Sequence, residues 1–203
     1  MIKLNLGSNS KNIGDDWINV DGLELENVDA LCDFNIIPFM FLVRNENKLK
    51  WLKGNKDFQI IPSNSIDRIQ MIEVLEHISF NKTHNTLVEL RRILKKDGVL
   101  HIQVPDCGKM IEYYEKGLVC DCVNHKDTGH GFHAYNNCPI CKGRAIVNTK
   151  RFFYSFTGAQ KHKYDSHLAI FTFEKLKKEL LLAGFKNIEF KEHVYKLKVT
   201  CNK

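Results

Sequence analysis

The chain has 203 residues, 43% of them hydrophobic and 27% charged, with a formal net charge of +6. That is ample for one domain with a core of its own, and no apolar run approaches the roughly 20 residues of a membrane-spanning helix. The basic residues are spread along the chain, so nucleic acid is permitted as a partner but not demanded, and no membrane partner is expected. Residues 1–7 enter a strand-like pattern without the basic and apolar regions of a signal peptide, which leads us to expect a cytoplasmic protein.

In chain order, residues 2–6 read as a strand closed by Gly7 and Ser8. Residues 17–20 make a second, closed by Asp21 and Gly22, and residues 28–32 a third, closed by Asp33. A fourth covers 65–71 and a fifth 98–104, ended by Pro105 and Asp106. Between these two, Leu87, Leu90, Ile93 and Leu94 recur at helical spacing, with Asp97 and Gly98 as the stop. After Asp106 the pattern breaks: residues 107–160 are rich in Cys, His, Asn and Gly, with one helix near 110–114. Thr172 then caps a helix running to Leu182, because Leu176, Leu180 and Ala183 share a face and Gly184 stands at the stop. Residues 186–194 and 196–201 close the chain as strands. Such alternation predicts an α/β fold around a mainly parallel sheet. Residues 1–203 read as one domain with 107–160 as an insertion. Residues 34–62 are opaque, their apolar run at 39–43 suiting a covering helix or a dimer contact.

Ligands of open α/β sheets bind beyond the carboxyl ends of the strands. Gly7 lets backbone approach a ligand closely. Asp21 can accept hydrogen bonds from a ribose diol and Asp33 from an adenine amino group. Either aspartate alone is equally well explained as a turn former, but three such ends in register with the strand order favour a ligand.

The string Leu4-Asn5-Leu6-Gly7-Ser8, with Gly14-Asp15-Asp16-Trp17-Ile18-Asn19-Val20-Asp21, resembles the opening of class I S-adenosylmethionine-dependent methyltransferases, in a branch with a shortened first loop. The likeness continues through Ser65-Ile66-Asp67-Arg68-Ile69, Val74-Leu75-Glu76-His77, residues 90–106, Phe171-Thr172-Phe173 and Leu182-Ala183-Gly184-Phe185, leaving out only 34–62 and the cysteine-rich stretch. It implies a Rossmann-like sheet of seven strands, the last antiparallel. It also implies a methyl donor held by Leu6, Gly7, Ser8, Asn9, Asp21, Gly22, Asp33, Glu73 and Val74. The chain departs from the family in its first loop, which has no second glycine before Gly14. Only 13 residues separate Gly7 from Asp21, too few for a full crossover helix with both connections.

On a helical turn Glu73, Glu76 and His77 stand at i, i+3 and i+4 and project together, able to line a pocket, supply a general base or hold a divalent cation. Some small-RNA 3′-end methyltransferases and quinone-biosynthesis O-methyltransferases are similar here, and the resemblance implies a metal on such a Glu-x-x-Glu-His set. His162 and His167, before the last helix, are further candidate bases beside Glu76 and His77.

Four of seven cysteines fall within 120–141. Cys138-Pro139-Ile140-Cys141 is a knuckle, and Gly143 lets backbone amides turn toward sulfur. Zinc wants four ligands in a tetrahedron. Cys120, Cys122 and His133, with His125 and His130, can complete the set, giving a structural zinc that staples a loop poor in apolar residues. Arg151, Phe152, Phe153, Tyr154 and Phe156 follow, suited either to stacking on a planar acceptor or to packing on the sheet. The expected activity is methyl transfer from S-adenosylmethionine to an oxygen or nitrogen of a small or macromolecular acceptor. The rival is a zinc-stapled binding module that kept the fold and lost turnover. A nicotinamide-dependent oxidoreductase is disfavoured, since no Gly-x-Gly-x-x-Gly loop is present.

Overall fold

The computed structural model describes residues 1–9, 13–50, 59–122, 138–161, 164–191 and 193–203. In chain order it contains β1 (Lys3–Leu6), β2 (Ile18–Asp21), β3 (Ala30–Leu31), β4 (Met40–Val43), β5 (Gln59–Ile60), β6 (Ile66–Ile72), α1 (Thr83–Ile93), β7 (Leu94–Pro105), α2 (Cys107–Glu115), α3 (Thr149–Thr157), α4 (Phe173–Leu182), β8 (Lys186–Lys191) and β9 (Lys196–Asn202). The strands form one sheet, ordered β5-β4-β3-β2-β1-β6-β7-β9-β8 among the described residues.

From β3 to β7 neighbouring strands run parallel, while β9 lies antiparallel between β7 and β8. These seven strands are the arrangement expected from the sequence. Residues 34–62 extend it by two short antiparallel strands beyond β3. Their apolar run forms β4, between β3 and the edge strand β5, and not a covering helix: Phe39 and Phe41, two positions apart, share the core side and are fully buried. Glu89 of α1 fastens this edge, accepting the Phe39 amide at 2.8 Å and two hydrogen bonds from Arg92.

A polar ladder fixes the register at the centre. Asn5 faces Asn19 on one side and Gln70 on the other. Asn5 Nδ2 donates to Asn19 Oδ1 at 3.0 Å, and Gln70 Nε2 donates to Asn5 Oδ1 at 3.3 Å. A slip of one residue would leave these buried amides unpaired, so the register is well specified.

The helices follow their sequence signals with one shift. Leu87, Leu90 and Ile93 bury the inner face of α1, yet the helix stops at Ile93, not at Asp97. Leu94 turns extended and pairs with Ile66, so β7 begins directly, and the kink falls at Asp97 with φ +62°. Thr172 Oγ1 accepts the Lys175 amide and caps α4, and Asp106 Oδ1 accepts the Lys109 amide and caps α2. A second, small buried cluster of Cys120, Cys141 and Ala145 stands apart from the main core. No helix among the described residues is long and apolar enough to cross a membrane.

Candidate active site

Sheet order reverses between β1 and β6, the topological switch point where such sheets open a crevice. A cleft of about 320 Å³ lies there, walled by the ends of β1, β2, β3 and β6. Gly7, with φ +68°, makes the first turn, and its backbone amide donates to Val20 O. A Cβ at this position would stand 2.2 Å from Val74 Cγ2, so the glycine is required by Val74 as well as by its own backbone. Asp21 accepts the Asn9 amide at 2.8 Å and the Leu23 amide at 3.0 Å, tying both flanking loops to the end of β2. A carboxylate offers about four acceptor sites, so two amides leave room for a ligand diol. Asp33 Oδ1 accepts the Asn35 amide. Among the described residues, Asp21, Asp33, Glu73 and Asp165 line this cleft together with Leu23, Leu25, Phe34 and Ile78, and no Lys or Arg does.

Glu73, His77 and Asp165 also wall a second cavity of about 150 Å³, which continues to Glu76, His167, Arg151, Tyr154, Tyr195 and Lys196. The segment around His167 is brought here by backbone pairing, with the Leu168 and Ala169 amides both donating to Glu76 O. Gly158, bridged to Ser166, lets the chain close this wall; a Cβ there would meet Asp165 O at 1.9 Å.

Both histidines have a defined tautomer. His77 Nδ1 lies 3.0 Å from Ser166 O and His167 Nδ1 lies 3.1 Å from Ser155 O. A carbonyl can only accept, so each Nδ1 carries a proton, and it is in the neutral ring that Nε2 keeps the lone pair. The rings meet edge to face at 4.8 Å. Burial lowers the His167 pKa, favouring the neutral ring. Glu76 is 1% exposed and, among the described residues, neither carboxylate oxygen has a hydrogen-bond partner. His167 Nε2 approaches Glu76 Oε1 only to 3.9 Å. Burial, then the charge of Glu73, pushes the Glu76 pKa well above the ordinary carboxyl range.

At the far end of the chain's middle segment, the thiols of Cys120, Cys122, Cys138 and Cys141 lie within 4.8 Å of one another. Cys120 Sγ is 3.7 Å from Cys138 Sγ, and Cys122 Sγ is 3.3 Å from Cys141 Sγ. A tetrahedral zinc with bonds near 2.3 Å sets sulfurs about 3.8 Å apart, so this set fits the ion. Burial works to raise the Cys141 pKa, but hydrogen bonds from the Ala145 and Gly143 amides and from neighbouring thiols outweigh it and bring it down to about 6. Amides of Cys141 and Ile140 lower that of Cys138.

Residues 41–102 match the family model of a methyltransferase domain. Over that stretch the chain is similar to a methyltransferase domain. The match takes in β6, the turn at 73–77, α1 and most of β7. Similar solved structures include a SAM-dependent methyltransferase from Mesorhizobium loti, with 11% identity, TM-score 0.49, and coverage of 100% of this chain and 90% of that one. Another is a SAM-dependent methyltransferase from Aquifex aeolicus, with 16% identity, TM-score 0.48, and coverage of 100% and 81%. A third is the 1,6-didemethyltoxoflavin-N1-methyltransferase of Burkholderia thailandensis, solved with S-adenosylhomocysteine, with 13% identity, TM-score 0.46, and coverage of 100% and 70%. No curated protein matches the chain.

Of the residues expected at the donor site, Gly7, Asn9, Asp21, Gly22, Asp33, Glu73 and Val74 line the first cleft. Leu6 and Ser8 do not: Leu6 is turned fully into the core, and Ser8 is buried with its hydroxyl donating to Asn9 O. The turn at 73–77 is not one helical turn. Glu73 stands before it in the left-handed region, φ +56°, and only Leu75–His77 form a 3₁₀ turn. Glu73 therefore departs from Glu76 and His77 and reaches Gln103 Nε2 and Lys196 Nζ. His167 takes its place beside Glu76 and His77, and the three offer ligand atoms within 4.8 Å of one another. His162 and His133 lie outside the described residues, and among those described the four cysteines come together. Arg151 entered the sequence reading only with the aromatic run after the cysteines, and Tyr195 and Lys196 of the second cavity carried no motif.

Proposed function

We propose that this methyltransferase moves a methyl group from S-adenosylmethionine to an oxygen or nitrogen acceptor held in the second cavity. The observation that carries the reading is the charge of the first cleft, four carboxylates facing apolar side chains with no cationic residue among those described. That surface suits a ligand with a sulfonium, an ammonium, a ribose diol and an apolar base, and it repels the pyrophosphate of a nicotinamide dinucleotide. Asp21 would take the diol, Asp33 the base, and Leu23, Leu25 and Phe34 would cover the ring. The donor supplies an electrophilic methyl carbon, whose bond to sulfur breaks with its electron pair going to sulfur as the bond to the acceptor forms.

The chain's own residues align the acceptor and take its proton. The turn at 73–77 separates the two cavities, so an acceptor beside His77 faces the donor side directly, and holding the reactants in line supplies much of the rate. His77 Nε2 or His167 Nε2 removes the proton from the acceptor hydroxyl or amine, with the carbonyls of Ser166 and Ser155 holding each ring in the required tautomer. A second reading is favoured by the bare Glu76 carboxylate between two imidazole lone pairs: the three residues hold a divalent cation that orients the acceptor. The four cysteines hold a structural zinc. Seven cysteines outside any disulfide suit a reducing, cytoplasmic setting.

The test is calorimetric titration of the metal-replete protein with S-adenosylmethionine and S-adenosylhomocysteine, with Asp21→Ala as control and NADH as comparison. Binding of both sulfur compounds, lost in the variant and absent for NADH, supports the reading. No binding overturns it and leaves the zinc-stapled binding module.

A further inference from the structure

We infer that the cavity behind Glu76 reads an anionic group on the acceptor through Arg151, so that the substrate is a small ring-bearing acid, a carboxylate or a phosphate, whose nucleophile faces the histidines. This builds on the reading of that cavity as the acceptor side.

Among the described residues, Glu73, Lys196 and Asp165 of this cavity are already engaged, whereas Arg151 and the buried Glu76 are not. Lys196 lies 3.5 Å from Glu73, and Asp165 Oδ2 accepts the Lys161 amide. Arg151, half-buried on the first turn of α3, has no carboxylate partner among the described residues. Its guanidinium instead lies 5.3 Å over the Tyr195 ring, and Lys196 Nζ lies 5.5 Å from the same ring. Two cations on one aromatic ring repel each other, and a half-buried guanidinium without a counter-ion gains from any planar anion that fits its fork.

The same helix connects the two ends of the cavity. Ser155, one turn after Arg151, supplies the carbonyl that orients His167, and its hydroxyl donates to Arg151 O. An anion on Arg151 thus sits at a fixed offset from the proton-accepting Nε2. The volume, about 150 Å³, equals that of a cavity known to admit one benzene ring, so a single ring with a short anionic arm spans it. Tyr154 and Tyr195 provide aromatic walls for such a ring.

The experiment is calorimetric titration of the full chain with 4-hydroxybenzoate, phenyl phosphate and neutral 4-hydroxybenzamide, with and without S-adenosylhomocysteine. We expect at least one anion to bind about tenfold or more tighter than the amide. Arg151→Gln should abolish that preference and Arg151→Lys, which keeps charge but loses the fork, should retain part of it. The better of benzoate and phosphate identifies the anion. Equal binding of acid and amide, no binding of either anion, or a preference unchanged in Arg151→Gln overturns the proposal. Failure of S-adenosylhomocysteine to bind is scored separately, since it strikes the donor reading while the donor-free titrations still judge Arg151.

Discussion

Replacing Glu76 by Gln should make the protein more stable at neutral pH, by an amount that grows with pH. Glu76 is buried with both oxygens unpartnered among the described residues, and its pKa is raised by burial and by Glu73. In the unfolded chain the carboxyl ionises near 4.5. A group whose folded pKa is raised stabilises the fold only below its unfolded pKa, and that contribution is lost as pH rises toward the folded one. While the folded protein holds the proton, each pH unit above 4.5 costs about 1.4 kcal/mol, which sets a ceiling of about 3 kcal/mol at pH 7. The glutamine side chain keeps the shape and never ionises, so Glu76→Gln recovers this energy. For a chain of this size the gain is roughly 2–4 °C per kcal/mol, hence about 6–12 °C at most. The assay is thermal unfolding of both proteins from pH 5 to 8, dialysed free of loosely bound divalent cations. The two melting curves should nearly coincide at pH 5 and separate steadily above it. A gap that is constant with pH, or a variant that melts lower at pH 8, refutes the reasoning. Adding Mg²⁺ or Mn²⁺ then decides between base and cation, because only a wild-type cation site is stabilised by the ion.

Three further outcomes are expected. Gly7→Ala should cost about 2–4 kcal/mol in urea unfolding, from the left-handed backbone and the 2.2 Å approach to Val74, with Val74→Ala restoring part of the loss in the double variant. Glu89→Ala should cost about 3–5 kcal/mol, since it strands the Phe39 amide and leaves Arg92 without its carboxylate; a double-mutant cycle with Arg92 measures their coupling. Cys141→Ser should reduce bound zinc, measured by atomic emission, from one per chain to none and open residues 107–160 to limited proteolysis, while a retained zinc would count against the four-thiol site.

Much of this architecture is legible because its signals are local. The apolar strands ending on Gly7, Asp21 and Asp33, the Thr172 cap and the Cys138–Cys141 knuckle each depend on residues a few positions apart. What escapes reading depends on partners far along the chain. Leu94 sits in phase with the α1 face, yet its pairing with Ile66 makes it a strand residue. The aromatic residues of α3 serve equally in a strand or a loop until Asn148 is seen to accept the Lys150 amide as a cap. The two short strands from 34–62 are set by β3 and by Glu89, neither of which marks the local sequence. Leu6 and Ser8 belong to the motif string, but whether a strand residue faces the core or the cleft follows from register. His167 meets Glu76 only because the chain folds back 90 residues later onto Glu76 O.

The turn at 73–77 shows how one short segment serves two sites. A regular helix starting at Glu73 would send Glu73, Glu76 and His77 to one side, as their spacing suggests. Placing Glu73 at φ +56° instead swings it toward Gln103 and Lys196, and the 3₁₀ turn then starts two residues later. Such a backbone costs on the order of 1–3 kcal/mol in a non-glycine residue. It is held by the Glu73 amide donating to Gln103 O at 2.8 Å and by Gln103 Nε2 donating back to Glu73 Oε1 at 3.2 Å. The consequence is a division of faces. Val74 packs on Gly7 and walls the first cleft, Glu76 enters the second cavity, and Glu73 and His77 stand between the two. Relaxing Glu73 would move all three walls at once, so the strained residue sits where it shapes both cavities.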